Sequence, residues 1–399
     1  MPATSSSPSP LIGVVEAVPV PVERLSTAES VTLLAALRGV PDPRRRRGRR
    51  HGLQSVLLLA LGAVMAGARS WAGIAQWAAT ADHALAVCGR PPSASTFRRT
   101  LARVDVTALE AALTRWVLGR RDRVEQISDA GVTAAERRAV VAVDGKTLRG
   151  ARQPDGRQTK LVCVYDHAHQ LVLTQGAVAG GDEITAFTTV LGTLPDLDGV
   201  LVTADALHCQ RDHVQFLADR GGHYLFTVKA NQPLLRRELA RLPWGQAPGQ
   251  RRCSSGHGRT ESRSIKVIDL SGTHAEALFP RAARAIKVVR RRRRTAKNHS
   301  STEIVYAVTS LGYRAADPGL LATWIQGHWA IENTVHYVRD VTQGEDHSTI
   351  RTGHGPQVMA ALRNTANNIA RLRGDTNMAH VQRNASWRPE TITEAIHAA

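Results

Sequence analysis

The sequence predicts an α/β core that carries a basic, β-rich insertion and follows an all-α N-terminal region. Three observations lead there. From residue 139 the pattern changes from helical periodicity to short apolar runs of strand length. The elements that follow run strand, strand, strand, helix, strand, helix, strand, helix. A loop-rich basic stretch over 242–300 then precedes one long helix.

Residues 1–25, rich in Pro, Ser and Val, read as a loose tail. Asp42-Pro43 and the arginines 44–47, 49 and 50 introduce a helical region over 26–130, expected to bind DNA. Its periodic apolar segments fall at 53–68, 71–88, 94–104 and 107–119, with a break at Gly89-Arg90-Pro91-Pro92. Leu53–Ala68 is 16 residues long and carries Gln54, too short for a membrane span, so a buried helix is expected. Ser93 or Ser95 can cap the next helix, whose Arg98 and Arg99 resemble those of a recognition helix facing DNA. An ordinary bundle helix with solvated arginines fits that window equally well.

The first part of the core spans 139–241. Ala139–Val143 is an unbroken apolar run ending at Asp144, and Leu161–Tyr165 and Leu171–Val178 complete an antiparallel meander. A helix over 183–193 leads to the strand Gly199–Thr203, which ends at Ala204-Asp205-Ala206. A helix over 211–219, the strand Tyr224–Lys229 and a helix from Pro233 follow. The insertion holds strands at 262–269 and 284–290 and five consecutive arginines, 290–294. The second part, 301–375, contains the strand Ile304–Ser310, a long helix from Asp317 to Arg339 and an Asn-rich helix over 356–373. Residues 376–399 read as a polar tail.

That order is the order of a ribonuclease-H-like core with an insertion before its last helix. In such a core the first and fourth strands are neighbours, so Asp144 and Asp205 meet at one edge of the sheet, where ligand sites of α/β proteins lie. Ile325, His328, Glu332, Val335 and Arg339 share one stripe of the long helix, which aims Glu332 inward. A carboxylate there is costly unless neutralised, and bound Mg²⁺ would neutralise it. Three carboxylates holding two ions, Mg²⁺ or Mn²⁺, make a site for in-line displacement at phosphorus.

The bulk composition agrees. Of 399 residues, 52 are Lys or Arg and 34 Asp or Glu, a net +18 that favours a polyanionic partner. Four cysteines (88, 163, 209, 253) without a CxxC pair argue against a zinc ribbon or a disulfide framework and fit a reducing cytosol. Aromatics are only 4%, which argues against a stacking platform for single strands or RNA. Trp324 and Trp329 are expected in the core, and His208 and Cys209 are expected to be structural. Two alternatives stay open. His328, Glu332 and His336 could present two imidazoles and a carboxylate to zinc. The basic tracts could also serve a protein that only binds DNA.

Several segments carry a family resemblance. Val143-Asp144-Gly145-Lys146-Thr147-Leu148-Arg149-Gly150-Ala151, Thr203-Ala204-Asp205-Ala206-Leu207-His208-Cys209-Gln210 and Val228-Lys229-Ala230-Asn231-Gln232 look like successive core motifs of ISAs-type insertion-sequence transposases, the H-repeat-associated group. His257-Gly258-Arg259-Thr260-Glu261-Ser262-Arg263 resembles that group's HGRxExR segment. Gly327-His328-Trp329-Ala330-Ile331-Glu332-Asn333, with His336-Tyr337 and Glu345-Asp346, resembles its HWxIEN block. Asp42-Pro43-Arg44 and Ser95-Thr96-Phe97-Arg98-Arg99 resemble its N-terminal domain, so the likeness spans roughly 38–372. The pattern departs at Gln326, where the group has arginine, and at Gly181-Asp182-Glu183-Ile184, where it has Ser-Asn-Glu-Ile.

The resemblance implies a DDE triad of Asp144, Asp205 and Glu332 using two divalent ions. It implies double-stranded DNA partners, terminal inverted repeats and target DNA, bound by a homodimer in a synaptic complex at the bacterial nucleoid. Lys146, Arg149, Lys229 and Arg339 are then expected phosphate contacts near the site. Arg98, Arg99, Arg290, Arg291 and Arg292 are expected contacts farther out.

Overall fold

A computed structural model describes residues 32–47, 49–80, 90–127, 138–152, 156–178, 182–256, 259–294, 299–388 and 390–399. The expected tail over 1–25, the last part of the expected 71–88 helix and the pair His257-Gly258 lie outside the described residues.

Five helices come first: α1 (Leu33–Arg38), α2 (Leu53–Met65), α3 (Trp71–Thr80), α4 (Ala94–Leu101) and α5 (Val106–Ile127). α2 is apolar all round and buried continuously from Val56 to Met65, as a helix enclosed by its neighbours must be. No helix among the described residues is long and apolar enough to cross a membrane. Ser93 caps α4, its hydroxyl accepting from the Thr96 amide at 3.3 Å. Phe97 and Leu101 point inward from α4, and Arg98 and Arg99 point to solvent.

One nine-stranded mixed sheet follows, in the order β3-β2-β1-β4-β5-β9-β8-β7-β6. β1 (Val140–Thr147), β2 (Lys160–Asp166) and β3 (Val172–Ala177) form the expected antiparallel meander. β4 (Leu201–Ala204) lies parallel to β1, and β5 (His223–Val228) parallel to β4. α6 (Glu183–Leu191), α7 (Arg211–Asp219) and α8 (Pro233–Arg241) connect them. The insertion supplies β6 (Gly249–Gly256), β7 (Arg259–Asp269), the short α9 (His274–Leu278) and β8 (Arg284–Arg294), and the chain returns through β9 (His299–Thr309). β9 pairs antiparallel with β5, so the basic strands extend the central sheet.

Both faces of the sheet are covered. Val141, Val143, Val162, Val202 and Phe226 pack with Phe187 of α6 and Leu217 of α7. On the other face Leu201, Leu225 and Ile286 pack under Leu321 and Trp324 of α10 (Pro318–His328). Farther along, Ala142, Cys163 and Tyr165 pack under Ile331 and Val335.

Two expectations are corrected here. The helix from Asp317 does not run uniformly to Arg339: α10 stops at His328, and Glu332–His336 and Val338–Thr342 are π-helical. Wider turns of this kind recur at functional sites and rotate every later side chain relative to a 3.6-residue period. Residues 376–399 are not a tail. After α11 (Gly355–Leu372) they form α12 (Met378–Trp387) and α13 (Glu390–Ala398). α13 buries Ile392, Ala395 and Ile396 against the first helices, and Trp116 Nε1 donates to the Ala399 carbonyl at 2.7 Å. α11 packs on α2 and α5, and α5 packs on β3, so the N-terminal helices share one core with the sheet.

Candidate active site

Asp144 and Asp205 are brought together by the parallel pair β1 and β4, whose register ends at Val143 opposite Ala204. Asp205 is the next residue after β4. It caps a 3-10 turn, accepting from the Leu207 amide at 2.9 Å. Asp144 does not end its strand as expected. Antiparallel pairing with β2 carries β1 on to Thr147, so Asp144 sits where the parallel neighbour stops and the antiparallel one continues. That leaves its carboxylate at an open edge while its backbone stays fixed.

Glu332 opens the first π-helical stretch above that edge. His336, four residues on, points its Nδ1 at Glu332 Oε2 (3.3 Å) and Asp144 Oδ2 (3.5 Å). Ligand atoms of Asp144, Glu332 and His336 all lie within 4.8 Å of one another. Asp205 is outside that tight group, yet its charge reaches Asp144. Burial, then repulsion from Glu332 and Asp205, pushes the Asp144 carboxyl up to about 8. Glu332 is held below the usual range by its hydrogen bond with His336, and burial lowers the His336 imidazole from its ordinary value.

These residues fit a divalent cation. Two lysines near the acids are already engaged: Lys146 Nζ is 2.5 Å from Asp340, and Lys160 pairs with Glu183. Among the described residues the acids therefore repel one another without a side-chain counterion of their own, and the Nε2 of His336 is buried without a hydrogen-bond partner. Carboxylate oxygens are hard donors suited to Mg²⁺ or Mn²⁺. Zinc is poorly served among the described residues, because the tight group of Asp144, Glu332 and His336 does not include His328, whose Nδ1 sits 3.2 Å from the Thr203 hydroxyl.

Several expected DNA contacts are placed differently. Arg339 is fully buried, its guanidinium paired with Glu345 (2.9 Å), and Lys146 is buried against Asp340, so both are corrected from surface to interior roles. Arg339 shares the inward stripe of Glu332, and there its partner is Glu345 rather than DNA. Arg290 is half-buried on Glu261 (2.7 Å), which also draws in Arg292 (3.4 Å). Arg149, Lys229 and Arg291 are exposed. Trp324 is in the core as expected, but Trp329 is 56% exposed. With Asn333, Gln326, Arg252, Arg263 and Arg290 it lines a cleft between α10 and the strands of the insertion, directly beside Glu332.

Two residues near the acids were missed. In the sequence His336 reads as a zinc ligand and as part of the segment that follows the HWxIEN block, not as a partner of Glu332. Glu183 was seen only as part of a motif that departs from its family pattern, although it lies buried against Gly145, next to Asp144.

A two-faced mixed sheet with clustered acids at the edge of its first and fourth strands defines an α/β enzyme suited to phosphoryl chemistry. The chain matches the Transposase DDE domain family over residues 135–369 and the DDE_Tnp_1-associated family over residues 34–117. It belongs to the DDE transposase family. Among curated proteins, "Putative transposase YncI" of Escherichia coli O157:H7 is 28% identical over 353 residues, covering 85% of this chain and 87% of that one. "H repeat-associated putative transposase YhhI" of Escherichia coli strain K12 is 28% identical over 348 residues, covering 83% and 88%. An uncharacterized protein in the dhlA 3′ region of Xanthobacter autotrophicus is 32% identical over 248 residues, covering 58% and 78%. Among solved structures, a cryo-EM synaptic complex of piggyBac transposase with hairpin DNA aligns at a TM-score of 0.40 and 11% identity, over 89% of this chain and 75% of that one. Membership of the DDE family implies use of divalent metal.

Proposed function

We propose that this transposase has a ribonuclease-H-like catalytic core that binds the terminal inverted repeats of an insertion sequence and catalyses two-metal cleavage and transfer of DNA strands. The observation that carries this is the approach of Asp144, Asp205 and Glu332 at one sheet edge, where burial, and then repulsion from the other two acids, raises the Asp144 carboxyl to about 8. When bound there, divalent ions supply activation of an attacking water or 3′-hydroxyl and stabilisation of the leaving oxygen. Asp144, Asp205 and Glu332 would hold them. His336 fixes the rotamer of Glu332 through its Nδ1.

The exposed arginines supply the DNA surface. Arg291 and Arg293 on β8, Arg98 and Arg99 on α4, Arg149 and Lys229 are all turned to solvent. The cleft holding Trp329 and Arg263 gives the strand a path to Glu332. Truncating Arg291 and Arg293 together to Ala should leave the melting temperature unchanged and weaken DNA binding at every sequence. It should also flatten the slope of log affinity against log salt by about 2, since each lost phosphate contact removes about 0.9. A salt slope equal to that of the wild type would place the DNA elsewhere.

Metal occupancy should depend on pH in a set direction. A cation takes the ionised carboxylate, so Mn²⁺ must displace the proton that Asp144 keeps up to about 8. Calorimetric Mn²⁺ affinity of the DNA-free protein is expected to rise about tenfold per pH unit toward that value and to level off above it. Affinity independent of pH from 6 to 9 would contradict the assignment.

The function itself is tested by incubating the protein with linear DNA bearing the repeats that flank its gene. With Mg²⁺ or Mn²⁺, nicks at the repeat ends and joined products are expected. Retention of the DNA without cleavage under any metal would instead make this a DNA-binding protein only. Cleavage that zinc-selective chelation abolishes would favour the imidazole site.

A further inference from the structure

We propose that Glu183 is a positioning residue of the acid cluster, a buried carboxylate that locks together from behind three elements: β1 and the turn after β4, which bear Asp144 and Asp205, and their neighbour β2. The inference rests on the function proposed above.

Glu183 opens α6, directly behind the sheet, and is only 9% exposed. Its carboxylate touches each of the three elements. On β1 it lies against Gly145, the residue after Asp144, so closely that a Cβ at 145 would overlap both carboxylate oxygens. On β2 it pairs with the Lys160 ammonium. From the turn after β4 it meets His208, whose Nε2 is 3.5 Å from Glu183 Oε1. His208 lies three residues beyond Asp205 and is fully buried, with no hydrogen-bond partner for either ring nitrogen among the described residues.

Two physical facts make this arrangement purposeful for the site. A glycine inside a strand weakens it and marks a close approach of another group. Here the group that approaches is a carboxylate, which is expensive to bury without a role or a partner. Glu183 holds Lys160 in place, and the Lys160 ammonium lies in the field of both Asp144 and Asp205. Removing the Glu183 charge would free Lys160 to pair with the acids themselves, and would loosen the turn after Asp205. Both changes act on how the acids are presented to a cation, without touching the outer surface where DNA lies.

The outer partners of metal ligands change metal affinity or rate by about 10–100-fold when removed. The test uses the full chain carrying Glu183→Gln, which keeps shape and loses charge, and separately Gly145→Ala, which keeps every charge and displaces the carboxylate. Three quantities are measured: Mn²⁺ affinity without DNA, the cleavage rate at saturating DNA across Mn²⁺ concentrations, and DNA affinity. Expected for both variants is Mn²⁺ affinity weaker by about tenfold or more, with the cleavage rate partly restored at high Mn²⁺. DNA affinity should stay within about twofold, with a cooperative melting transition retained. Mn²⁺ affinity and metal dependence equal to wild type in either folded variant would overturn the proposal. Loss of the fold in both would overturn it too, in favour of a purely structural role. Asp144→Asn is assayed alongside. If that variant still cleaves, the proposed function fails; if it is inactive while Glu183→Gln behaves as wild type, only the role of Glu183 fails.

Discussion

Asp205→Ala and Asp144→Asn are expected to abolish strand cleavage while leaving DNA affinity within about twofold of wild type. Both effects follow from where the acids sit. The two aspartates lie at the edge where β1 and β4 stop pairing, and the exposed arginines of β8 and α4 lie on other elements. Losing one ligand of a catalytic cation removes stabilisation that exists only in the transition state, so the loss falls on the rate. A fall of at least about 10³-fold is expected, comparable with removing a major electrostatic contribution to catalysis. Glu332→Gln should act similarly. It should also release His336, whose imidazole burial holds below its ordinary value although Glu332 pulls it up. Gel retardation and a cleavage assay on the same preparations decide the matter. Parallel loss of binding and cleavage would mean that the aspartates shape the DNA surface.

The largest effect on stability is expected from Glu345→Gln. Glu345 is 3% exposed, and it accepts from Arg339 (0%) at 2.9 Å and from Arg363 (2%) at 2.9 Å. Burial alone would raise the Glu345 carboxyl, yet the two guanidinium groups bring it down to about 2. Neutralising it leaves two buried cations facing each other without a counterion. Breaking a buried pair in this way costs about 3–5 kcal/mol. Because the folded pKa lies below the unfolded one, the stability from this carboxylate is present above about 4.5 and is lost as pH falls toward about 2. The deficit of the variant should therefore be full at pH 7 and shrink in acid. Urea unfolding at pH 7 and pH 3.5 measures both. A deficit under about 1 kcal/mol at pH 7, or one that does not change with pH, would contradict this account. Since Arg339 belongs to the second π-helical stretch, the variant should also loosen the segment that presents Glu332.

Much of this was legible in the sequence because buried parallel strands write themselves as apolar runs. Val140–Val143 and Leu201–Ala204 read as strands and pair as expected, which is why Asp144 and Asp205 could be assigned to one edge. What stayed hidden depended on partners distant in the chain. β6, Gln250–Ser255 at its centre, has no apolar face and exists because β7 supplies a complete ladder. Asp144 reads as a strand end in the sequence because antiparallel pairing with β2 cannot be read from β1 alone. The expected stripe through Glu332 assumed a constant 3.6-residue turn. With the π-helical turns Glu332 stays at the rim while Arg339, from the same stripe, is fully buried, so an arginine expected at phosphate is held by Glu345. Lys146 misled in the same way, since Asp340 lies 194 residues away along the chain. The C-terminal helices were missed because α13 shows only Ile392, Ala395 and Ile396 as an inward face. Glu183 had a legible signal after all: a glycine inside a strand, next to an acid, asks what occupies the missing side chain.

The central claim is that Asp144, Asp205 and Glu332 together hold the catalytic cations. Anomalous diffraction from crystals of the protein grown with Mn²⁺ tests it most directly. Anomalous density is expected between the three carboxylates in the wild type and none there in Asp205→Asn. Density on His328 and His336 alone, or unchanged density in the variant, would contradict it.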